Sequence, residues 1–173
     1  MVVHFMKPAL RIGVVSASVV VASAIAIGTL EPPGVGALAT ALAWLSAQAA
    51  GALGVSASSD GAIIEAGGFS AFVAAQCTAI DIILVFCAGV LIFPVPLKAR
   101  MWALALGIPA IIALNFARII SLMLIGITFP EHFDFLHLAV SQLSMVVAAF
   151  TIWLLWLRSA YAGRWNGEAL SAH

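Results

Sequence analysis

The sequence predicts an all-α integral membrane protein, and three observations lead to that class. Of the 173 residues, 64% are hydrophobic and 8% are charged, whereas about a quarter of the residues in soluble domains are charged. Several apolar runs are long enough to cross a bilayer core as helix, which takes about 20 residues. The basic residues lie mostly at the ends of these runs, which is typical of membrane proteins. The formal net charge is zero and the sequence has no basic patch; because no basic patch is present, we expect no nucleic-acid partner.

We predict four transmembrane helices, and each has its own sequence signals. The spans cover about residues 10–30, 77–97, 101–127 and 137–157. The first run is longer than the core of a typical signal peptide, which favours a retained span over a cleaved one. Pro94 and Pro96 close the second span, and the third is long enough to tilt or to kink at Pro109. Trp156 and Arg158 close the fourth as an aromatic belt and a basic anchor.

Residues 35–55 are apolar but rich in alanine and glycine, so they either span the membrane or lie at its interface. The distribution of basic residues along the chain favours the interfacial position for residues 35–55. With four spans, six basic residues share one side of the membrane, which is then cytoplasmic; they are Lys7, Arg11, Lys98, Arg100, Arg158 and Arg164. A fifth span would separate the first two from the other four. We therefore predict both termini in the cytoplasm and an outer segment over residues 31–76.

The rest of the outer segment has the pattern of a short β-hairpin. Two apolar pieces within residues 56–75 flank Ala66-Gly67-Gly68, and paired glycines are typical of a tight hairpin turn. We therefore expect an outer-face interfacial helix followed by a hairpin, beside the start of the second span. Residues 1–173 form a single membrane domain in this interpretation.

Three spans each place one reactive side chain at the same predicted depth. Cys77 begins the second span, Arg118 lies about 25 Å above the inner start of the third, and His137 begins the fourth. An ionisable residue inside an apolar span, such as Arg118, is by default a functional hypothesis. A thiolate can attack a carbonyl, a histidine can move the proton, and a guanidinium can stabilise the oxyanion. The alternative is that all three are packing or headgroup residues.

Two polar residues are candidates for supporting this set. Asp81 lies four residues after Cys77 and hence on the same face of a continuous helix, where it could pair with Arg118 or orient His137. Asn115 lies three residues before Arg118 and could hold the guanidinium or a substrate carbonyl. Either residue could instead make an ordinary interhelical hydrogen bond.

Other candidates are weaker. His132, in the loop before the fourth span, is the main rival to His137 as the base. Cys87 lies in the middle of the second span, away from any base, and is interpreted as a packing residue. Two cysteines ten residues apart and one histidine do not make a metal-ligand set, so we expect neither a metal nor another cofactor.

The stretch from Cys77 to Arg158 resembles the exosortase/archaeosortase family of membrane cysteine transpeptidases, most closely the short exosortase H type. The matching pieces are Gln76-Cys77-Thr78, Phe93-Pro94-Val95-Pro96, Lys98-Ala99-Arg100, Ala113-Leu114-Asn115-Phe116-Ala117-Arg118-Ile119 and Phe133-Asp134-Phe135-Leu136-His137. In that family a cysteine, an arginine in an N-x-x-R context and a histidine are the proposed catalytic set. They correspond here to Cys77, Arg118 and His137. Many members have glycine two residues after the cysteine, where this chain has Ala79.

The resemblance implies a cysteine transpeptidase or protease in the bacterial cytoplasmic (inner) membrane, with its active site on the periplasmic side. Its partners would be exported proteins with a C-terminal sorting signal of short motif, transmembrane helix and basic cluster. They would be cut through a thioester acyl-enzyme and passed to an unknown acceptor nucleophile. Two other interpretations remain: a non-enzymatic membrane subunit in which Arg118 and Asp81 form an ion pair, and a membrane hydrolase without an acceptor.

Overall fold

In a computed structural model of the chain, residues 34–170 are described, apart from the side chains of Ala139 and of residues 162–170. The main elements are helix α1 (Val35–Ala52), strands β1 (Ala57–Asp60), β2 (Ile63–Ala66) and β3 (Phe69–Phe72), and helices α2 (Ile80–Ile92), α3 (Leu97–Thr128) and α4 (Gln142–Leu170). A 3₁₀ turn, Ala75–Thr78, precedes α2. A 3₁₀ turn, an α-helical turn and a π turn join α3 to α4: Pro130–His132, Phe133–Phe135 and Leu136–Ser141. The predicted first span, residues 10–30, lies outside the described residues.

The predicted class, a mostly helical membrane protein, is confirmed. Among the described residues, three helical stretches are long and apolar enough to cross a membrane: Val35–Ala52, Leu97–Thr128 and Pro130–Tyr161. The predicted third and fourth spans lie within the last two of these. Because α1 is itself a candidate span, the four-span count and the interfacial place of α1 stay predictions.

The second predicted span, residues 77–97, is shorter than expected as a helix. α2 has 13 residues and is therefore about 20 Å long. It begins only at Ile80 because Ala79 adopts a left-handed backbone conformation, with φ 59° and ψ 14°. It ends before Pro94, since the residue before a proline avoids helical geometry.

The β segment has one more strand than predicted. β2 and β3 form the expected hairpin, with Ala66 paired to Phe69 across Gly67 and Gly68. Both glycines have positive φ, 56° and 83°, as a type I′ turn requires. β1 adds a third antiparallel strand on the other side of β2. Its sequence, Ala57–Asp60, lacks the β-branched and aromatic residues that identify strands.

α1 and the sheet pack over the turn that carries Cys77. One face of α1 is buried, and its small side chains allow the close approach. The cluster contains Ala39, Leu42, Ala43 and Ala50 of α1, Ile64, Ala66 and Val73 of the β segment, Cys77, and Ile119 and Met123 of α3. The cluster thus fixes the Cys77 turn against the part of α3 that carries Arg118.

Two glycines let aromatic rings approach α3 closely. A Cβ on Gly126 would overlap the ring of Phe69 from β3, and a Cβ on Gly107 would overlap the ring of Phe86 from α2. The first contact holds the sheet against the C-terminal end of α3. The second holds α2 against the middle of α3, so both segments that flank Cys77 are anchored to the helix of Arg118.

Candidate active site

Cys77 lies in the 3₁₀ turn and not at the start of a helix. The turn is closed by the Cys77 amide, which donates to the Ala74 carbonyl at 2.8 Å, and by the Thr78 hydroxyl, which donates to the Ala75 carbonyl at 2.6 Å. Cys77 is buried, with 7% of its surface exposed. α1 and the sheet cover it.

His137 is the histidine beside Cys77. The Cys77 Sγ and the His137 Nε2 are 3.8 Å apart, a hydrogen-bonding distance for sulfur. The imidazole is stacked on the Phe133 ring, with centroids 5.5 Å apart and planes at 10°, and Phe133 in turn contacts the Phe69 ring at 4.8 Å. The rival His132 has an exposed side chain and lies 3.9 Å from the Glu131 carboxylate. The structure therefore brings His137, and not His132, to the thiol.

Arg118 lies on α3 and its side chain is buried within the protein, with 8% of its surface exposed. Its Nε donates to the Ser141 hydroxyl at 2.7 Å, and its Nη1 donates to the Asn115 Oδ1 at 3.4 Å. Its Nη2 is buried and has no hydrogen-bond partner among the described residues. A fixed guanidinium whose Nη2 amino group is free is a preorganised donor for a developing negative charge.

Asn115 connects the arginine to the cysteine. It is 1% exposed, and its Nδ2 donates to the Cys77 carbonyl at 2.7 Å, while its Oδ1 accepts from Arg118. The predicted contact with the arginine is therefore present, and its partner on the other side is the backbone of Cys77. The side-chain amide of Asn115 therefore fixes the position of the Cys77 turn along the axis of α3.

Ser141 completes the arrangement, and the sequence reasoning missed it. Its hydroxyl donates to the His137 carbonyl at 3.0 Å and accepts from Arg118 Nε at 2.7 Å. Contacts therefore run from the Cys77 carbonyl through Asn115, Arg118 and Ser141 to His137, and back to the Cys77 thiol. The available signal was its position four residues after His137, which allows a hydroxyl to bond the earlier carbonyl.

Asp81 does not join this set. Within the described residues it makes no hydrogen bond or ion pair with Arg118 or His137, and its Oδ1 is buried without a partner. The prediction assumed a continuous helix from Cys77 to Asp81, but the left-handed Ala79 interrupts that helix, so the spacing of four residues no longer places both on one helix face. The ion pair between Arg118 and Asp81, on which the non-enzymatic interpretation rests, is likewise not formed.

The other sequence candidates lie apart from the site. Cys87 is half-buried in α2 as a free thiol, and no base contacts it among the residues described. Over residues 34–170 no group of three or more His, Cys, Asp or Glu side chains could hold a metal ion. A cavity of about 490 Å³ opens over the sheet near Ser58, Glu65 and Ser70, and its lining does not include Cys77 or His137.

A comparison with models of known protein families identifies a match. A family model described as transmembrane exosortase matches residues 4–158, a range that includes every residue of the site and most of the chain. No curated protein and no solved structure matches the chain.

Proposed function

The chain belongs to the transmembrane exosortase family, and on that premise we propose that it is a membrane cysteine transpeptidase that cleaves C-terminal sorting signals of exported proteins. The observation that carries the proposal is the Cys77–His137 pair, 3.8 Å apart, beside a buried guanidinium with a free Nη2. A nucleophile, a base and an oxyanion donor are the three parts that acyl transfer requires.

Acylation follows from the positions of these three groups. The His137 Nε2 takes the proton of the Cys77 thiol, and the thiolate attacks the carbonyl carbon of the scissile peptide bond. The oxygen of the tetrahedral intermediate becomes an oxyanion, which Arg118 Nη2 stabilises by donating a hydrogen bond. When the intermediate collapses, the C–N bond breaks and the leaving amine takes the proton from the imidazolium. The exported protein is then a thioester on Cys77.

Transfer reverses the same steps with a new nucleophile. An amine or hydroxyl acceptor attacks the thioester carbonyl, and its proton goes to His137 as the bond forms. The oxyanion again lies at Arg118 Nη2, and the thiolate of Cys77 leaves and regains its proton from His137. With water as acceptor the same residues carry out hydrolysis, so the acceptor decides between transpeptidase and protease.

The substrate class follows from the family and from the membrane setting of the site. We propose a signal made of a short motif, an apolar helix and a basic cluster, in the inner membrane with the motif on the periplasmic side. The helix of the signal would lie beside apolar helices such as α3, and its basic cluster would remain in the cytoplasm. The motif would then emerge near the depth of Cys77.

A non-enzymatic role is less well supported. It relied on an internal ion pair between Arg118 and Asp81, whereas the partners of Arg118 are Ser141 and Asn115.

The proposal is tested by co-expression with an epitope-tagged exported protein that ends in such a signal, taken from the same genome. Processing of the tagged protein should be lost in Cys77→Ala. It should be retained in Cys87→Ala, the matched control, because Cys87 is a free thiol without a base. Processing by Cys77→Ala at the wild-type rate would refute the cysteine mechanism.

A further inference from the structure

We infer that Ser141 is a positioning residue for the acyl transfer proposed above, because its single hydroxyl orients both Arg118 and the turn that presents His137. The inference rests on the proposed function. Among the described residues, the hydroxyl of Ser141 bonds Arg118 and the His137 carbonyl and makes no hydrogen bond to the Cys77 thiol. It would therefore act through Arg118 and His137.

The hydrogen-bond geometry of the Ser141 hydroxyl allows one arrangement only. A guanidinium can only donate, and a backbone carbonyl can only accept. The hydroxyl must therefore accept from Arg118 Nε at 2.7 Å and place its one proton on the His137 carbonyl at 3.0 Å. The residue is 7% exposed, so water is a poor substitute for either partner.

Ser141 helps to fix the position of the free Nη2 amino group of Arg118. The guanidinium is planar, and Ser141 and Asn115 hold it at two of its three nitrogens, Nε and Nη1. With two nitrogens fixed, the third, Nη2, has a defined position. Without the hydroxyl, Nε loses its partner, and the plane is free to rotate about the remaining contact with Asn115. The donor for the oxyanion would then no longer be preorganised.

Ser141 also ends the π turn that carries His137. π turns are rare, occur mostly as single turns and are frequent at functional sites. The turn covers Leu136–Ser141, and the hydroxyl bond joins its last residue to the carbonyl of His137. The same bond therefore links the backbone that presents the imidazole to the arginine on α3.

Two features distinguish Ser141 from an ordinary helix serine: its side chain is buried, and its hydroxyl accepts a second hydrogen bond, from Arg118. Hydroxyl bonds to the carbonyl four residues earlier are common in membrane helices, and Ser121 makes one to the Ala117 carbonyl at 2.8 Å. Ser121 is exposed on the same helix as Arg118 and, within residues 34–170, accepts no hydrogen bond from a cation. It is therefore a matched control for loss of a hydroxyl.

The test compares the processing rate of the tagged substrate in Ser141→Ala, Ser141→Thr and Ser121→Ala at equal membrane levels. Ser141→Ala should reduce the rate by about 10–100-fold, as for other groups that orient a functional residue. Ser141→Thr should recover most of the rate, because the hydroxyl returns, and Ser121→Ala should match the wild type. If the extra methyl group of threonine prevents this recovery, Ser141→Cys is measured instead. Its processing rate should be higher than that of Ser141→Ala.

Two results would overturn the inference. One is a Ser141→Ala rate equal to that of Ser121→Ala. The other is no recovery when a hydroxyl or thiol is restored, because the loss would then come from shape and not from the hydrogen bonds. Cys77→Ala run in parallel separates this failure from that of the proposed function: if it is inactive while Ser141→Ala is fully active, only the role of Ser141 is wrong.

Discussion

Replacing Arg118 by lysine separates positive charge from directed hydrogen bonding. Both side chains are cations, but lysine has one ammonium group and arginine a planar fork of donors. In the structure the fork bonds Ser141 through Nε and Asn115 through Nη1, while Nη2 stays free. An ammonium group can reach one of those positions and leaves the others empty. We therefore expect Arg118→Lys to behave as the loss of an oxyanion donor, with processing about 10²–10³-fold slower.

The assay for Arg118→Lys is the initial rate of processing of the tagged substrate, measured in membranes with matched protein levels. Arg100→Lys is the control, because Arg100 also donates through an Nη2 group, to the Phe93 carbonyl at 2.9 Å, but lies in the first turn of α3. The control should keep the wild-type rate. An Arg118→Lys rate close to the wild type would refute the argument, since charge alone would then be sufficient.

Two further predictions follow from the segment after Cys77. Asp81→Asn should process substrate at the wild-type rate, because among the described residues Asp81 makes no hydrogen bond or ion pair with Arg118 or His137; a large loss of rate at an equal protein level would show that Asp81 does support the site. Ala79→Val should lower the unfolding temperature in detergent, since a β-branched residue is a clear outlier at a φ of 59°, whereas Ala79→Gly should be nearly neutral. In Ala79→Gly, relief of about 1–2 kcal/mol of backbone strain offsets the loss of one buried methyl group, which costs about 0.8 kcal/mol. An unfolding temperature of Ala79→Val equal to that of the wild type would contradict the argument from backbone strain.

The sequence was sufficient for the elements with a clear pattern. Long apolar runs predicted helices at residues 101–127 and 137–157, and these lie within Leu97–Thr128 and Pro130–Tyr161. Paired glycines predicted the turn between β2 and β3. Strand β1 was missed because its residues are small and polar, and it forms by pairing with β2 and packing under α1, which no local pattern reveals.

The contacts within the site could not be predicted from the sequence, because they depend on local backbone conformation and on hydrogen bonds between helices. Asp81 was misplaced because the spacing rule assumed a helix through Ala79, where the chain is left-handed. The glycine common at that position in the resembling family has a physical reason here, because a positive φ suits glycine best. Ser141 was missed because its importance comes from a bond across two helices to Arg118, and sequence spacing shows only bonds within one helix.

The most direct test of the central claim is to trap the acyl-enzyme. Membranes that contain the protein and the tagged substrate would be quenched in acid, and the adduct located by peptide mass spectrometry. The account predicts the tagged fragment as a thioester on Cys77, labile to hydroxylamine and absent from Cys77→Ala. Processing that continues in Cys77→Ala, or an adduct on another residue, would contradict it.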